Sequence, residues 1–337
     1  MHKISVLAIA LLLLACQEEA KQTQKEHYAE ILVSGEAQGT TYTVKYIGEE
    51  HIGLEDELDS LLEAIDNSMS TYLATSTISK LNQSDSVSVD SMFENVFNMS
   101  MRANLLTGGA FDPSLGPLFK AWGFDYSVPT PMDSAMVDSL LEFCGMNQFI
   151  LVDGLIKKRN QSASLNFNAI AQGYAVDLMA AVLRRHGLEN FYVELGGELK
   201  VRGHNSKNAP WRIGIDKPQG KNLERVLQHI VKLQNKAMAT SGNYRNYYEV
   251  EGEKYSHTID PATGFPVKRN ILSATVIVSS CAYADALATA FMVMGLDASK
   301  EMIEKNNTIS AILIYSDEEG NMQSYISEDL NDQIEAL

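Results

Sequence analysis

Apolar and polar positions alternate along this chain in two rhythms, one every second residue and one every third or fourth. The run "TTYTVKY" at 40–46 is β-branched and aromatic, which predicts a strand entered through Gln38-Gly39. Leu54, Leu58, Leu61, Leu62 and Ile65 recur at helical spacing and define one apolar face. A second helix is predicted over Asp90 to Leu106, stopped by Gly108-Gly109. In "FILVDGLIKKR" (149–159), Asp153-Gly154 separates two short apolar runs and fits the two-residue turn that matches strand twist. Further hairpins are expected around Glu251-Gly252 and from Asp317 to Gly320, and helices over 169–186 and 282–294, closed by Gly187 and Gly295.

Hairpins beside long helices, without a regular strand-helix-strand rhythm, indicate an α+β fold with an antiparallel sheet rather than a doubly wound parallel one. No internal linker or repeat stands out, so 31–330 reads as a single unit followed by a short tail at 331–337. At 337 residues, with 45% apolar and 21% charged residues, the chain can bury a substantial core. Its net charge of -16 and lack of a Lys/Arg cluster argue against a nucleic-acid partner.

The first residues follow another pattern. "MHKISVLAIALLLLAC" has a basic start, an apolar run from Val6 to Leu14 and then Ala15-Cys16. That order fits an export signal over 1–15, and the run is too short to remain as a spanning helix. Leu13-Leu14-Ala15-Cys16 resembles a lipobox, which would make Cys16 the lipidated first residue of an exported protein, held on a bacterial membrane and facing its extracytoplasmic side. Residues 16–30, polar throughout most of their length, suit a flexible tether. Cys144 and Cys281 then remain, with no spacing that suggests zinc, and read as two small buried hydrophobes.

Candidate chemistry lies in polar islands between the apolar runs. Within "CAYADALATAF" (281–291), Asp285 and Thr289 stand four residues apart and share a helix face. Two oxygen ligands among alanines suit a hard cation such as Mg2+; a local hydrogen bond from Asp285 and a back-bond from Thr289 would satisfy the same pattern. "GGAFDPSLGPL" (108–118) is expected to be a rigid loop exposing Phe111 and Asp112. "LNFNAIAQGYAVD" (165–177) runs into a helix whose free N–H groups can receive phosphate. "VELGGEL" (193–199) carries two glycines in a strand-like run, suiting either a bulge or a close backbone approach to a ligand. "TSGNYRNYY" (240–248) and "HTIDPATGFP" (257–266) are polar turns containing Arg245 and His257.

Taken in this order, "QGTTYTV", "AFDPSLGPL", "NAIAQGYAVD", "ELGGEL", "SGNYR", "HTIDPATGFP" and "ADALATA" resemble the ApbE family of FAD:protein FMN transferases. The resemblance implies a T-fold-related α+β domain that binds FAD and Mg2+, cleaves the FAD pyrophosphate, releases AMP and joins FMN by a phosphoester to a Thr or Ser of a partner protein. It implies Asp285, Thr289 and the Ala169 carbonyl as Mg2+ ligands. Gln38, Tyr72, Ala110, Phe111, Asp112, Asn166, Gln172, Ile259 and Ala288 match positions lining the FAD site. His257 and Asp285 are the implied catalytic residues, His257 as a base for the acceptor hydroxyl. The implied acceptor is an extracytoplasmic subunit of a membrane redox complex, of the Na+-translocating NADH:quinone reductase or Rnf type. FAD hydrolysis to FMN and AMP, or flavin binding without turnover, are the alternatives. In one segment the chain departs from the family: where many members read Asp-Leu-Gly-Gly-Ile-Ala-Lys-Gly, it reads Asn166-Phe167-Asn168-Ala169-Ile170-Ala171-Gln172-Gly173. Gln172 thus replaces a positive charge near the expected pyrophosphate, with Arg245 and Lys236 as candidates to replace it.

Overall fold

A computed structural model describes residues 29–124, 132–219, 226–242, 247–250, 253–256 and 258–335. Strands β1 (Glu30–Ala37) and β2 (Thr40–Ile47) open the chain. Helices α1 (Leu54–Met69) and α2 (Thr77–Gln83), strand β3 (Ser86–Ser88), and helices α3 (Ser91–Leu106), α4 (Gly116–Trp122) and α5 (Ser134–Leu141) follow. Next come β4 (Phe149–Val152), β5 (Leu155–Lys158), α6 (Ala171–Arg185), β6 (Phe191–Leu195), β7 (Glu198–Arg202), β8 (Trp211–Asp216), β9 (Leu227–Leu233) and β10 (Ala237–Gly242). The chain continues through β11 (Tyr247–Val250), β12 (Glu253–Ser256), β13 (Ile271–Val278), α7 (Cys281–Met294), α8 (Leu296–Lys305), β14 (Ser310–Ser316), β15 (Met322–Ile326) and β16 (Ile334–Glu335).

Eight strands form one antiparallel sheet in the order β1-β2-β6-β7-β10-β13-β14-β15. Its middle strands bury side chains on both faces. In β13, Ala274, Val276 and Val278 join the core under α7, while Ile277 points the other way. On that second face Ile277, Met238, Ile312 and Ile314 meet Trp211, Ile213 and Val231 of a small sheet ordered β16-β9-β8. The molecule is therefore layered, with helices on one face of the main sheet and three strands on the other, an α+β architecture as expected.

Most predicted elements are present. Asp90 caps α3 by accepting hydrogen bonds from the N–H groups of Met92 and Phe93. Ser280 caps α7 in the same way through Tyr283 N–H. Asp153 and Gly154 both have positive φ and close the β4-β5 hairpin. Strands β11 and β12 pair as expected, with residues 251 and 252 of their turn outside the described residues.

Three expectations need correction. Gln38-Gly39 does not simply lead into a strand; it is the turn of a hairpin whose first arm, β1, pairs with β2 along its length. Gly196-Gly197 is not a bulge within one strand: Leu195 pairs with Glu198, so the two glycines, both at positive φ, form a tight turn between β6 and β7. The ordered unit also passes residue 330, because Ile334 pairs with Val231 and packs on the second core. Cys144 and Cys281 are free thiols, the first half-buried and the second fully buried. Burial raises both pKa values, that of Cys144 to about 12, which suits the reading of inert hydrophobes.

Candidate functional site

Two helices set the centre of the site. Helix α6 enters almost against the start of α7: a Cβ placed on Gly173 would lie 2.4 Å from the Cys281 carbonyl oxygen. Glycine alone permits that approach, and it lets the Gly173 N–H, in the first turn of α6, donate to Asp285 Oδ2 at 3.2 Å. The crossing is held from below by Asp177, whose carboxylate accepts from Ser280 Oγ at 2.7 Å and Ala282 N–H at 3.1 Å and pairs with Lys200 at 2.6 Å.

Asp285 is 6% exposed. Burial lifts its pKa to about 7, and the Gly173 hydrogen bond opposes part of that rise. One turn on, Thr289 Oγ1 lies 3.1 Å from Ser241 Oγ of β10. The helix thus presents a carboxylate and a hydroxyl on one face, and neither makes the purely local contact that the alternative reading required. Glu198, at the start of β7, adds a second buried carboxylate; burial and the nearby charge of Asp285 hold its pKa well above the usual range. Among the described residues, its Oε2 has no hydrogen-bond partner. The Asp285 carboxylate and the Thr289 hydroxyl on one helix face are hard oxygen donors of the kind Mg2+ takes. Among the described residues, three or more His, Cys, Asp or Glu side chains nowhere gather into a metal cluster. A magnesium site that leaves positions for water and phosphate does not need one.

The remaining candidates arrive on adjoining segments. Gln172, also in the first turn of α6, lies against the Gly196 turn, which in turn meets Thr40 just after Gln38-Gly39. Gln38 stands near Asp66 of α1, where it offsets part of the rise in pKa that burial causes. Tyr72 is 62% exposed, and its hydroxyl accepts from Asn168 Nδ2 at 3.1 Å. Asn166 Oδ1 accepts from Asn168 N–H, and Asn166 N–H donates to the Pro113 carbonyl, which ties this segment to the 110–116 loop. Ala169, half-buried, lies two residues before the start of α6.

Other candidates are placed differently from the expectation. Phe111 is 2% exposed and belongs to the main core, so the loop does not display its ring. Asp112 is half-buried, and one of its oxygens accepts from both the N–H and the hydroxyl of Ser114, making it the brace of the turn. Ile259 and Ala288 are also buried, Ile259 against Leu115, Leu118 and Val137 and Ala288 on the face of α7 that packs with Ala274 and Val276 of β13. Lys236 precedes β10, five positions before Ser241, or roughly 17 Å at ordinary strand rise, so it is badly placed to stand in for a charge at Gln172. His257 and Arg245 lie outside the described residues. Glu198, Ser241, Gly173 and Asp177 join the site without a motif that marks them in the sequence; for Glu198 the one local signal is a lone acid between the glycine pair and an apolar strand.

The ApbE family pattern matches residues 38–313. The chain belongs to the ApbE family. Its ApbE-family relatives include the FAD:protein FMN transferase of Vibrio cholerae, 36% identical over 324 residues and spanning 93% of each chain. That of Haemophilus influenzae is 34% identical over 333 residues, covering 93% of this chain and 92% of its own. Among solved structures, the flavin transferase ApbE from Vibrio cholerae superposes with a TM-score of 0.82 at 34% identity, covering 91% of this chain and 99% of that one. The apo form of the Pseudomonas stutzeri flavinyl transferase ApbE gives 0.81 at 30% identity, with coverage of 91% and 97%. The α+β layering and the ordered motifs are thus those of an ApbE-family chain over nearly its whole length.

Proposed function

We propose that this chain is an enzyme, a Mg2+-dependent FAD:protein FMN transferase that joins FMN to a Thr or Ser of a partner protein and releases AMP. The observation that carries the reading is the pairing of Asp285 and Thr289 on one face of α7 with the N-terminal turn of α6 directed at it, in a chain similar throughout to flavin transferases.

Asp285, Thr289 and the Ala169 carbonyl would hold the magnesium ion. When bound, it would neutralise charge on the phosphates during transfer. The first turn of α6 offers N–H groups and the positive end of a helix dipole to the same phosphates. Gln172 in that turn can donate a hydrogen bond where many family members place a lysine. The acceptor hydroxyl oxygen attacks the phosphorus on the FMN side of the pyrophosphate, the bond to the AMP phosphate breaks, and His257 takes the hydroxyl proton. Attack by water in place of the hydroxyl would give FMN and AMP, so the choice between transfer and hydrolysis rests on access of the acceptor.

The same proposal places the enzyme on the outside of a bacterial membrane, anchored through lipid on Cys16, with its acceptor in a membrane redox complex of the Na+-translocating NADH:quinone reductase or Rnf type. Among the described residues no helix is long and apolar enough to cross a membrane.

The test is to incubate the purified protein with FAD, Mg2+ and a Thr-containing acceptor domain, then record the acceptor's intact mass and the nucleotides formed. A mass increase matching one FMN, with an equal amount of AMP and loss of both on chelation, is expected. AMP and FMN without an adduct would replace transfer with hydrolysis, and no AMP at all would leave flavin binding only.

A further inference from the structure

Glu198 begins β7 directly after the Gly196-Gly197 turn. It pairs with Leu195, whose side chain lies in the core on the helix side, so the Glu198 side chain faces the same way, toward α6 and α7. Leu199 and Val201, the odd positions of the strand, lie in the opposite core. Only 8% of Glu198 is exposed, and among the described residues its Oε2 meets no hydrogen-bond donor. Lys200, two residues along on the same face, is engaged by Asp177 at 2.6 Å. Asp285 is near enough for its charge to act on Glu198.

A buried carboxylate with an unfilled oxygen beside a second carboxylate is costly unless positive charge or donors lie between them. Its cross-strand neighbour on the same face, Leu195, is apolar and fully buried, so packing against it does not call for an acid. We propose that Glu198 is the second carboxylate of the cation site, a positioning residue that accepts hydrogen bonds from metal-bound water and adds the second negative charge opposite the ion held by Asp285 and Thr289. Magnesium retains several waters, and carboxylates that receive them orient the shell and raise affinity. The inference rests on the reading that Asp285 and Thr289 take a divalent cation.

Mn2+ serves as the probe, because its free ion is counted directly by electron paramagnetic resonance. Binding is titrated in the wild type, Glu198→Gln, Glu198→Asp and Asp285→Asn, with circular dichroism as the check on folding. The wild type should bind saturably, and Mg2+ should compete. Glu198→Gln, nearly the same shape without the charge, should bind about 10- to 100-fold more weakly, and Glu198→Asp should fall between. Wild-type affinity in folded Glu198→Gln, with binding lost in Asp285→Asn, would overturn the role of Glu198 while keeping the metal site. If Glu198→Gln does not fold, wild-type affinity in Glu198→Asp overturns it instead. Absence of saturable Mn2+ binding in the wild type would overturn the underlying cation reading, and the role of Glu198 with it.

Discussion

Gly173→Ala tests the helix crossing that builds the site. A methyl at this position would lie 2.4 Å from the Cys281 oxygen, 2.7 Å from the Cys281 carbonyl carbon and 2.9 Å from the Cα of Ala282. All three are backbone atoms, so no side-chain rotation relieves the overlap, and α6 and α7 must part by about 1 Å to reach ordinary contact. Overpacking of this kind costs about 1–3 kcal/mol, toward the upper end here because both partners are helices. Alanine returns about 1 kcal/mol of helix propensity, leaving a net destabilisation of about 1–2 kcal/mol. The same shift would lengthen the Gly173 N–H bond to Asp285, and a displacement near 1 Å at reacting groups costs on the order of a hundredfold in rate. Urea unfolding and AMP release from FAD measure the two effects on one preparation. Unchanged activity together with a gain of about 1 kcal/mol, the pure propensity result, would refute the close crossing.

Other expectations follow from the same geometry. Asp285→Asn should abolish Mg2+-dependent AMP release while its unfolding remains cooperative in urea; wild-type release would remove Asp285 from the metal site. Gln172→Lys should lower KM for FAD several-fold with a smaller change in kcat, since the added charge acts on bound phosphate, and steady-state kinetics at fixed Mg2+ would show an unchanged KM if residue 172 does not face the pyrophosphate. His229 bonds to Ser324 Oγ at 3.0 Å, and burial lowers its pKa below the ordinary 6.5. The native protein therefore binds this proton less readily than the unfolded chain, so stability is full above pH 6.5 and declines as pH falls from there toward the depressed value. In urea titrations, His229→Gln should flatten that decline; an unaltered slope would assign the acid sensitivity to other groups.

The readable parts of the chain were those with local causes. Asp90 before an apolar helix face, Asp153-Gly154 between two short strands and Gly295 after a helix each act within a few residues, and each marks the boundary it suggested. The Asp285–Thr289 face was visible because four-residue spacing on a helix fixes a common direction. Sheet order was not visible in that way, since β2 pairs with β6 and β7 with β10 across long intervening stretches. β13 and β14 are buried on both faces and so lack the alternation that marks a half-exposed strand. Phe111 was misplaced because glycines and a proline suggest an open loop, whereas the loop folds its aromatic ring into the main core. Glu198 acquires meaning only when the hairpin brings it beside Asp285 on a distant helix, a juxtaposition that no local pattern records.

Flavin transfer at this site requires a divalent cation bound at the Asp285–Thr289 face beside the first turn of α6. Crystals grown with FAD and Mn2+ would locate the metal by its anomalous scattering. A strong peak within roughly 2 Å of Asp285 and Thr289 oxygens, with the pyrophosphate completing the shell, is the predicted result. Ordered FAD with the metal bound away from both residues would contradict it.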